Sequence, residues 1–287
     1  MIEANVLNSM LQTGILAFTI PMVLIAVWKM RTRKSLVPFF VGMFIFLFFA
    51  KGLEMIPHTV FLLTDNPLSR AINGNLVLYV LYGGLMAGLF EELGRYLAFH
   101  FLMKKYPEKE TAVTYGMGHG GIECMLVMGI SYLQYYSYGQ LINNGAMEKM
   151  MASYKGNTQM QNSLQQLIDT ITGMQKSDCF FAGWERVSAM MLQIGLSILV
   201  FQAVKAAGKK YLLWVAVLLH MLADIPAALY QKGVLPILSV EILIFIFAGL
   251  VLFYAIRVYG NMEKTTEGKT DEEKHSLHRI ARKRFNK

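Results

Sequence analysis

Long apolar runs alternate with short polar connections along the chain. Each run holds about 20 residues, the length that a helix needs to cross about 30 Å of hydrocarbon. The runs are continuous and do not alternate between apolar and polar positions, so they predict membrane helices rather than strands of a barrel. We expect an all-α, polytopic membrane helical bundle with seven transmembrane spans, at about 9–28, 36–56, 75–103, 111–136, 181–204, 211–230 and 235–257.

Composition supports a membrane protein. Of the 287 residues, 55% are hydrophobic and only 16% are charged, which is unlike a soluble protein of this length. The segment before the first apolar run, "MIEANVLN", holds no basic residue, and no small-residue cleavage site follows the run. We therefore expect this run to be retained as a span and not removed as a signal peptide.

The positive charge is distributed unevenly between the two sides of the predicted bundle. Of the 27 Lys and Arg residues, 19 follow spans one, three, five and seven, and the other connections are poor in them. Because basic residues prefer the cytoplasmic side, we expect the N-terminus outside and the C-terminus in the cytoplasm of a bacterial cell membrane. No nucleic-acid partner is expected, since the net charge of +8 does not come from one folded basic face.

The chain divides into a membrane domain, residues 1–260, and a basic cytoplasmic tail, residues 261–287, which anionic lipid should attract. One connection, residues 137–180, is long and is expected on the outer side. It contains an apolar stripe at helical spacing, which predicts an amphipathic helix that lies on the outer membrane surface or caps the bundle. The alternative is that this helix acts as a lid or as a docking element for a partner. The stripe consists of Leu164, Leu167, Ile168 and Ile171.

Three predicted spans carry ionisable side chains at one depth. Counted from the cytoplasmic ends of these spans at 1.5 Å per residue, all lie roughly 12–20 Å deep. A charge in the membrane costs roughly 2.5–3.5 kcal/mol, so a shared layer on three helices indicates a functional site. Its members are Glu91, Glu92, Arg95, His119, Glu123, His220 and Asp224.

The carboxylates of this layer outnumber its cations. Four ionised carboxylates beside Arg95 cannot persist in a medium of low dielectric. Some carboxyl group must therefore hold a proton, a histidine must be charged, or a cation must bind. Such mixtures of carboxyl and imidazole suit general acid–base catalysis. The simpler interpretation is polar contact between helices, with Arg95 as a charge partner and Asp224 orienting His220.

A second polar set lies nearer the predicted outer side. We expect its members to form ion pairs between helices, and the alternative is that they shape an outer entrance. They are Lys51, Glu54, Glu185, Arg186 and Glu241.

Three short motifs hold most of the intramembrane charges. They are "EELGR" (Glu91, Glu92, Arg95), "YGMGH" (Tyr115 to His119) and "HMLAD" (His220 to Asp224). In type and order they resemble the motifs of the CAAX protease and bacteriocin-processing superfamily, and the chain resembles most its YhfC-like branch of membrane peptidases. The PrsW-type proteases and the APH-1 scaffold of γ-secretase are other branches. This chain departs from the commonest pattern in a shorter Glu-Glu to Arg spacing, in Tyr115 for Phe, in Asp224 for Asn, and in the extra Glu123.

The resemblance implies an intramembrane endopeptidase of the glutamate type, which hydrolyses a peptide bond of a membrane-associated protein or peptide. By position, Glu91 or Glu92 would activate a water molecule together with His119. His220 and Asp224 would stabilise the oxyanion that forms on the scissile carbonyl.

This mechanism requires no cofactor. Zinc is nevertheless possible at His119, Glu123 and His220, because two imidazoles and a carboxylate form a common zinc ligand set. Two other functions stay open: a proton-coupled transporter, since carboxylates and histidines also relay protons, and a non-catalytic scaffold like APH-1 that binds a transmembrane partner. No internal repeat supports a symmetric transporter.

Overall fold

The computed structural model of the chain describes the backbone of residues 1–285 and the side chains of residues 1–262. All regular structure in this part is helical, and several helices continue through short π-helical turns. The helices are α1 (Ala4–Thr32), α2 (Val37–Leu63), α3 (Pro67–Gly74), α4 (Leu76–Leu102), α5 (residues 110–143), α6 (Ala146–Ser153), α7 (Thr158–Gly173), α8 (Lys176–Lys205), α9 (Tyr211–Gln231) and α10 (Ile237–Phe285).

Within residues 1–262, six helices are long and apolar enough to cross a membrane: α1, α2, α4, α8, α9 and the part of α10 up to Met262. They match six of the seven predicted spans. The seventh predicted span, 111–136, is helical within α5 but is not one of the six. Its glycines, His119 and Glu123 make this segment less apolar than the others. The basic tail, residues 261–287, lies almost wholly outside the residues with described side chains.

Polar caps set the helix limits more than the ends of the apolar runs do. Helix α2 continues past its predicted end at residue 56, until Asn66 accepts backbone N–H groups at the start of α3. Asn75 likewise caps α4 by accepting from the N–H of Leu78. At the start of α8, Asp178 accepts from the backbone N–H of Gln175, so this helix begins before the predicted residue 181. Such caps satisfy N–H groups that a helix start leaves unpaired.

The basic connections gather at one end of the bundle. Lys34, between α1 and α2, lies 3.8 Å from the carboxylate of Glu108, between α4 and α5. The ammonium of Lys109 stands over the ring of Tyr259 near the end of the membrane part of α10, at 4.4 Å. Three connections or helix ends that are distant in sequence therefore share one face.

The opposite end collects the N-terminus and the remaining connections. The backbone N–H of Ile2 donates to Asn143 at the end of α5, at 2.7 Å, and Asn143 donates back to the carbonyl of Ile2. Lys232, after α9, donates to the carbonyl of Asn73 in α3. Helix α5 therefore starts at the basic end and finishes beside the N-terminus.

The predicted long connection is mostly helical. Helix α5 runs on to Asn143, and α6 and α7 fill most of the rest up to α8. In α7, Ile171 is fully buried, and it belongs to a small apolar core that includes Leu7 and Met10 of α1. Helix α7 is thus amphipathic and packs its apolar face on the bundle.

Close helix contacts at glycine bring the charged layer together. A Cβ atom at Gly88 of α4 would lie 2.7 Å from the carbonyl oxygen of Val217 in α9. A Cβ at Gly118 of α5 would overlap the backbone carbonyl of Phe39 in α2. Because only a hydrogen atom fits at each point, α4 meets α9 and α5 meets α2 backbone to backbone. These contacts lie within one turn of Glu91 and His119.

Candidate active site

Glu91 lies where four helices meet. Its Oε2 atom is 2.8 Å from Nε2 of His119 on α5 and 3.9 Å from Nε2 of His220 on α9. The same oxygen accepts a hydrogen bond of 3.0 Å from Nε2 of Gln193 on α8. Its Oε1 atom accepts no hydrogen bond from residues 1–262, and the side chain as a whole is 9% exposed. The described residues therefore hold one carboxylate oxygen of Glu91 and leave the other without a hydrogen-bond donor.

The side chain of Glu92, next to Glu91 in the sequence, lies in a fully buried part of the site. Its Oε1 atom is 2.8 Å from Nδ1 of His220, and its Oε2 atom is 3.2 Å from Nη1 of Arg95. The side chains of Glu92 and Arg95 have no exposed surface. Adjacent helical positions diverge by about 100°, which explains why the paired glutamates have different neighbours. Glu92 can therefore orient His220 and neutralise Arg95. Its carboxylate has no exposed surface at which a substrate could bind.

Asp224 is the most exposed carboxylate of the set. Its side chain is 38% exposed, and its Oδ2 atom is 3.9 Å from Nε2 of His220, one turn earlier on α9. Nε2 of His220 thus stands between the carboxylates of Asp224 and Glu91. This side of the cluster is its accessible edge.

Glu123 does not join the two histidines. Its Oε1 atom pairs with Nη1 of Arg186 at 2.9 Å, and its Oε2 atom accepts a hydrogen bond of 2.9 Å from Gln193. Arg186 also binds the carboxylate of Glu185. The guanidinium of Arg186 is nearly buried in the bundle and needs counter-charges, so it draws Glu123 towards α8. Three helices, α4, α5 and α9, thus bring six of the predicted site residues together, and Glu123 lies beside this cluster. The six are Glu91, Glu92, Arg95, His119, His220 and Asp224.

Gln193 belongs to the cluster, although the sequence analysis did not predict it as a site residue. This residue is 2% exposed and contacts Glu91, Glu123 and Arg95. The available signal was an amide within the apolar run "AMMLQIGLSILV", seven residues after Arg186. That spacing puts both side chains on one face of a helix.

The charges of the cluster nearly balance when Asp224, at its exposed edge, is left out. Two carboxylates, Glu91 and Glu92, stand beside one permanent cation, Arg95. One negative charge remains when both histidines are neutral. A proton on His220 would cancel it, and the carboxylates of Glu91, Glu92 and Asp224 all face that imidazole.

Comparison with known proteins decides the family. Residues 16–245, which include the whole cluster, match the family model described as "YhfC intramembrane metalloprotease". The chain is also 35% identical over 246 residues to the "Uncharacterized membrane protein YhfC" of Bacillus subtilis (strain 168). That match covers 85% of this chain and 93% of the relative.

The chain belongs to the YhfC family. It is therefore a multi-pass membrane protein of a family of intramembrane metalloproteases. The motif resemblance predicted the YhfC family and an intramembrane peptidase, but the metalloprotease description is at odds with the glutamate type without a cofactor that the resemblance implied. No solved structure matches this YhfC-family chain. The wider relationship to the CAAX protease superfamily, the PrsW-type proteases and APH-1 stays a prediction from the motifs.

The family description raises the question of a metal. Among residues 1–262, no three His, Cys, Asp or Glu side chains stand in a ready metal-binding arrangement. The predicted trio with Glu123 does not form, since Glu123 is held by Arg186 and Gln193. The donor types nevertheless fit zinc, because Nε2 of His119 and Nε2 of His220 both face one oxygen of Glu91.

The surroundings of the two histidines differ in their fit to a metal. Nδ1 of His220 is held by Glu92, which is the outer support that metal-binding histidines usually have. Nδ1 of His119 is buried and has no partner within residues 1–262.

Proposed function

We propose that this YhfC-family chain is an intramembrane endopeptidase that hydrolyses a peptide bond of a membrane-embedded protein or peptide, with Glu91 as the general base. One observation carries the proposal. The Oε2 atom of Glu91 is held by His119 and Gln193, while its Oε1 atom accepts no hydrogen bond from residues 1–262 and is left to bind a water molecule. A base must be held in place and must also reach the proton that it removes.

The two glutamates have different roles in this mechanism. A water molecule beside Oε1 of Glu91 gives up its proton to that carboxylate as it attacks the scissile carbonyl. Glu91 then passes the proton to the leaving nitrogen. His119 donates to Oε2 and fixes the plane of the carboxylate. Glu92 does not touch the substrate, because His220 and Arg95 occupy its two oxygens.

His220 stabilises the negative charge on the carbonyl oxygen. Glu92 holds its Nδ1 atom, and Asp224 and Glu91 both face its Nε2 atom. In the imidazolium form both ring nitrogens donate, so Nε2 can offer a hydrogen bond to the oxyanion. Asp224 lies at the open edge and helps to retain this charge.

The family description allows for a bound metal at the same place. His119 and His220, through their Nε2 atoms, and Glu91, through Oε2, are the residues that would hold it. A zinc ion would supply a Lewis acid and a bound water that ionises near neutral pH. The Oε1 atom of Glu91 keeps its proton-accepting role in either case.

We also propose seven crossings, with the N-terminus outside and the basic end of the bundle in the cytoplasm of a bacterium. Support comes from α5, whose two ends lie at opposite ends of the bundle beside Lys34 and Ile2. The grouping of basic connections at one end agrees with the preference of Lys and Arg for the cytoplasmic side. The long connection that holds α6 and α7 would then lie outside.

A search for cleavage products tests the proposed function. Bacillus subtilis lacking its own YhfC would express this chain as wild type or as Glu91→Gln, and new protein termini in the membrane fraction would be compared by mass spectrometry. Glu241→Gln is the matched control, since Glu241 is a buried carboxylate of α10 outside the cluster. We expect termini within or next to apolar segments that form with the wild type and Glu241→Gln but not with Glu91→Gln.

The same comparison would yield a defined substrate. The cleaved sequence, made as an internally quenched peptide and placed in proteoliposomes with purified enzyme, gives a cleavage rate. Equal termini in the wild type and Glu91→Gln would overturn the proposal. Proton flux that depends on Glu91 without any product peptide would instead favour a transporter.

A further inference from the structure

We infer that Gln193 is the positioning residue of the proposed base, and that it links Glu91 to the Glu123–Arg186 ion pair. The inference rests on the proposed function. Gln193 belongs to none of the three motifs, and it lies on α8, a helix that carries none of the seven predicted site residues.

The side-chain amide of Gln193 uses both of its functional atoms on charged partners. Its nitrogen donates to Oε2 of Glu91 at 3.0 Å and to Oε2 of Glu123 at 2.9 Å. Its oxygen accepts a hydrogen bond from Nη2 of Arg95. An amide carries two N–H donors and one acceptor oxygen, so all its main capacities are matched.

The position between Glu91 and Glu123 requires a hydrogen-bond donor that carries no charge. Two carboxylates, from α4 and α5, approach the same nitrogen, and a third acid there would raise their repulsion. Lys or Arg would add a positive charge and compete with His119 and Arg95 for the carboxylates. Glutamine binds both acids without changing the net charge of the cluster.

The bundle is built to admit this side chain. A Cβ atom at Gly120 would lie 3.1 Å from Cβ of Gln193, and one at Gly116 would lie 3.1 Å from its backbone oxygen. That backbone oxygen also accepts a hydrogen bond from Ser197, one turn later, at 2.7 Å. The glycines of "YGMGHGG" therefore let α8 approach α5 closely enough for Gln193 to reach Glu91.

The contact fixes which oxygen of Glu91 faces the substrate. Gln193 and His119 both bind Oε2, which leaves Oε1 as the proton-accepting atom. Without Gln193, only His119 would hold the carboxylate, and rotation about the last side-chain bond would spread the two oxygens over several orientations. A loss of orientation lowers the rate of the chemical step and leaves binding of the apolar substrate unchanged.

The test compares Gln193→Met with the wild type, using the internally quenched peptide in proteoliposomes. Methionine has the length and flexibility of glutamine but no donor, and Gln193→Leu is the second variant if the first does not fold. Gln202→Leu is the matched control, because Gln202 is a half-buried glutamine on the same helix. Glu91→Gln is measured in the same series.

We expect Gln193→Met to lower kcat by about 10- to 100-fold, the usual range for a hydrogen bond to a charged group. KM should stay within about twofold of the wild type. Thermal stability should also fall, because Glu91, Glu123 and Arg95 each lose a hydrogen-bond partner, so the rate is measured on the folded fraction. Gln202→Leu should cleave at the wild-type rate. A purely structural role would lower stability and leave the kcat of the folded fraction unchanged.

The outcomes separate this inference from the proposed function. If Glu91→Gln is inactive but both folded Gln193 variants match the wild type in kcat, the role of Gln193 is wrong and the proposed function stands. If Glu91→Gln cleaves the peptide normally, the proposed function itself is wrong. Loss of kcat with unchanged KM in either Gln193 variant supports the inference.

Discussion

Replacing the two adjacent glutamates by glutamine should separate catalysis from stability. Glu91→Gln removes the charge that Arg95 does not balance and keeps the size of the side chain. Glu92→Gln removes the carboxylate that pairs with Arg95 at 3.2 Å, in a place where neither side chain has exposed surface. The same chemical change one residue apart should therefore destabilise the fold strongly at Glu92 and only slightly at Glu91.

The buried ion pair between Glu92 and Arg95 determines how far the free energy of unfolding should fall. Breaking a buried ion pair by removing one partner costs about 3–5 kcal/mol, because the other charge stays buried without compensation. In Glu92→Gln the guanidinium of Arg95 keeps the carbonyl oxygen of Gln193 but loses its paired anion. His220 also loses the anion at its Nδ1 atom. We expect the free energy of unfolding to fall by about 3–5 kcal/mol for Glu92→Gln and by less than about 1 kcal/mol for Glu91→Gln.

Denaturant unfolding in bicelles, followed by tryptophan fluorescence, gives the two free energies. The peptide cleavage rate is measured on the folded fraction of each sample. Glu91→Gln should unfold like the wild type and lose about 10²–10⁴-fold in rate, the usual contribution of a general base. The assignment of roles fails if Glu92→Gln is as stable as the wild type, or if Glu91→Gln is the less stable of the two.

Three further substitutions test the packing that positions the site. Gly118→Ala should destabilise the fold by about 1–3 kcal/mol, because the new methyl group meets the backbone carbonyl of Phe39; unfolding unchanged from the wild type would contradict the close contact of α2 and α5. Ile171→Ala should speed proteolytic cleavage in the segment around α6 and α7, since this fully buried side chain holds α7 to α1. The rate on the quenched peptide should stay unchanged, and a large change in that rate would point to a lid. Asn75→Ala should lower the free energy of unfolding by about 1 kcal/mol, because it removes the N-terminal cap of α4. An unchanged free energy of unfolding would show that this cap does not stabilise the fold.

The positions of the helices, and the proximity of most residues in the candidate cluster, could be predicted from the sequence for identifiable physical reasons. Apolar runs of membrane length are strong signals, so each predicted span falls on a helix. Glu91, His119 and His220 could be expected at one depth, because helical rise converts position in the sequence into depth. The structure brings these three side chains together.

Contacts between helices were harder to predict. Depth and helical spacing do not reveal which neighbouring helix a side chain faces, so Glu123 was expected beside the histidines but pairs with Arg186. Gln193 is uncharged and was hidden in an apolar run, although it carries three of the contacts within the cluster. The ends of α2 and α8 depend on local caps at Asn66 and Asp178, which hydrophobic patterning does not report.

In the proposed mechanism Glu91 and His119 act as one unit on one water molecule. The most direct measurement is the single-turnover cleavage rate of the quenched peptide by the wild type, Glu91→Gln, His119→Gln and the double variant. Residues that act as a unit lose activity together, so the double variant should be no slower than the slower single variant. Independent losses that multiply in the double variant, or a Glu91→Gln enzyme that cleaves at the wild-type rate, would contradict the account.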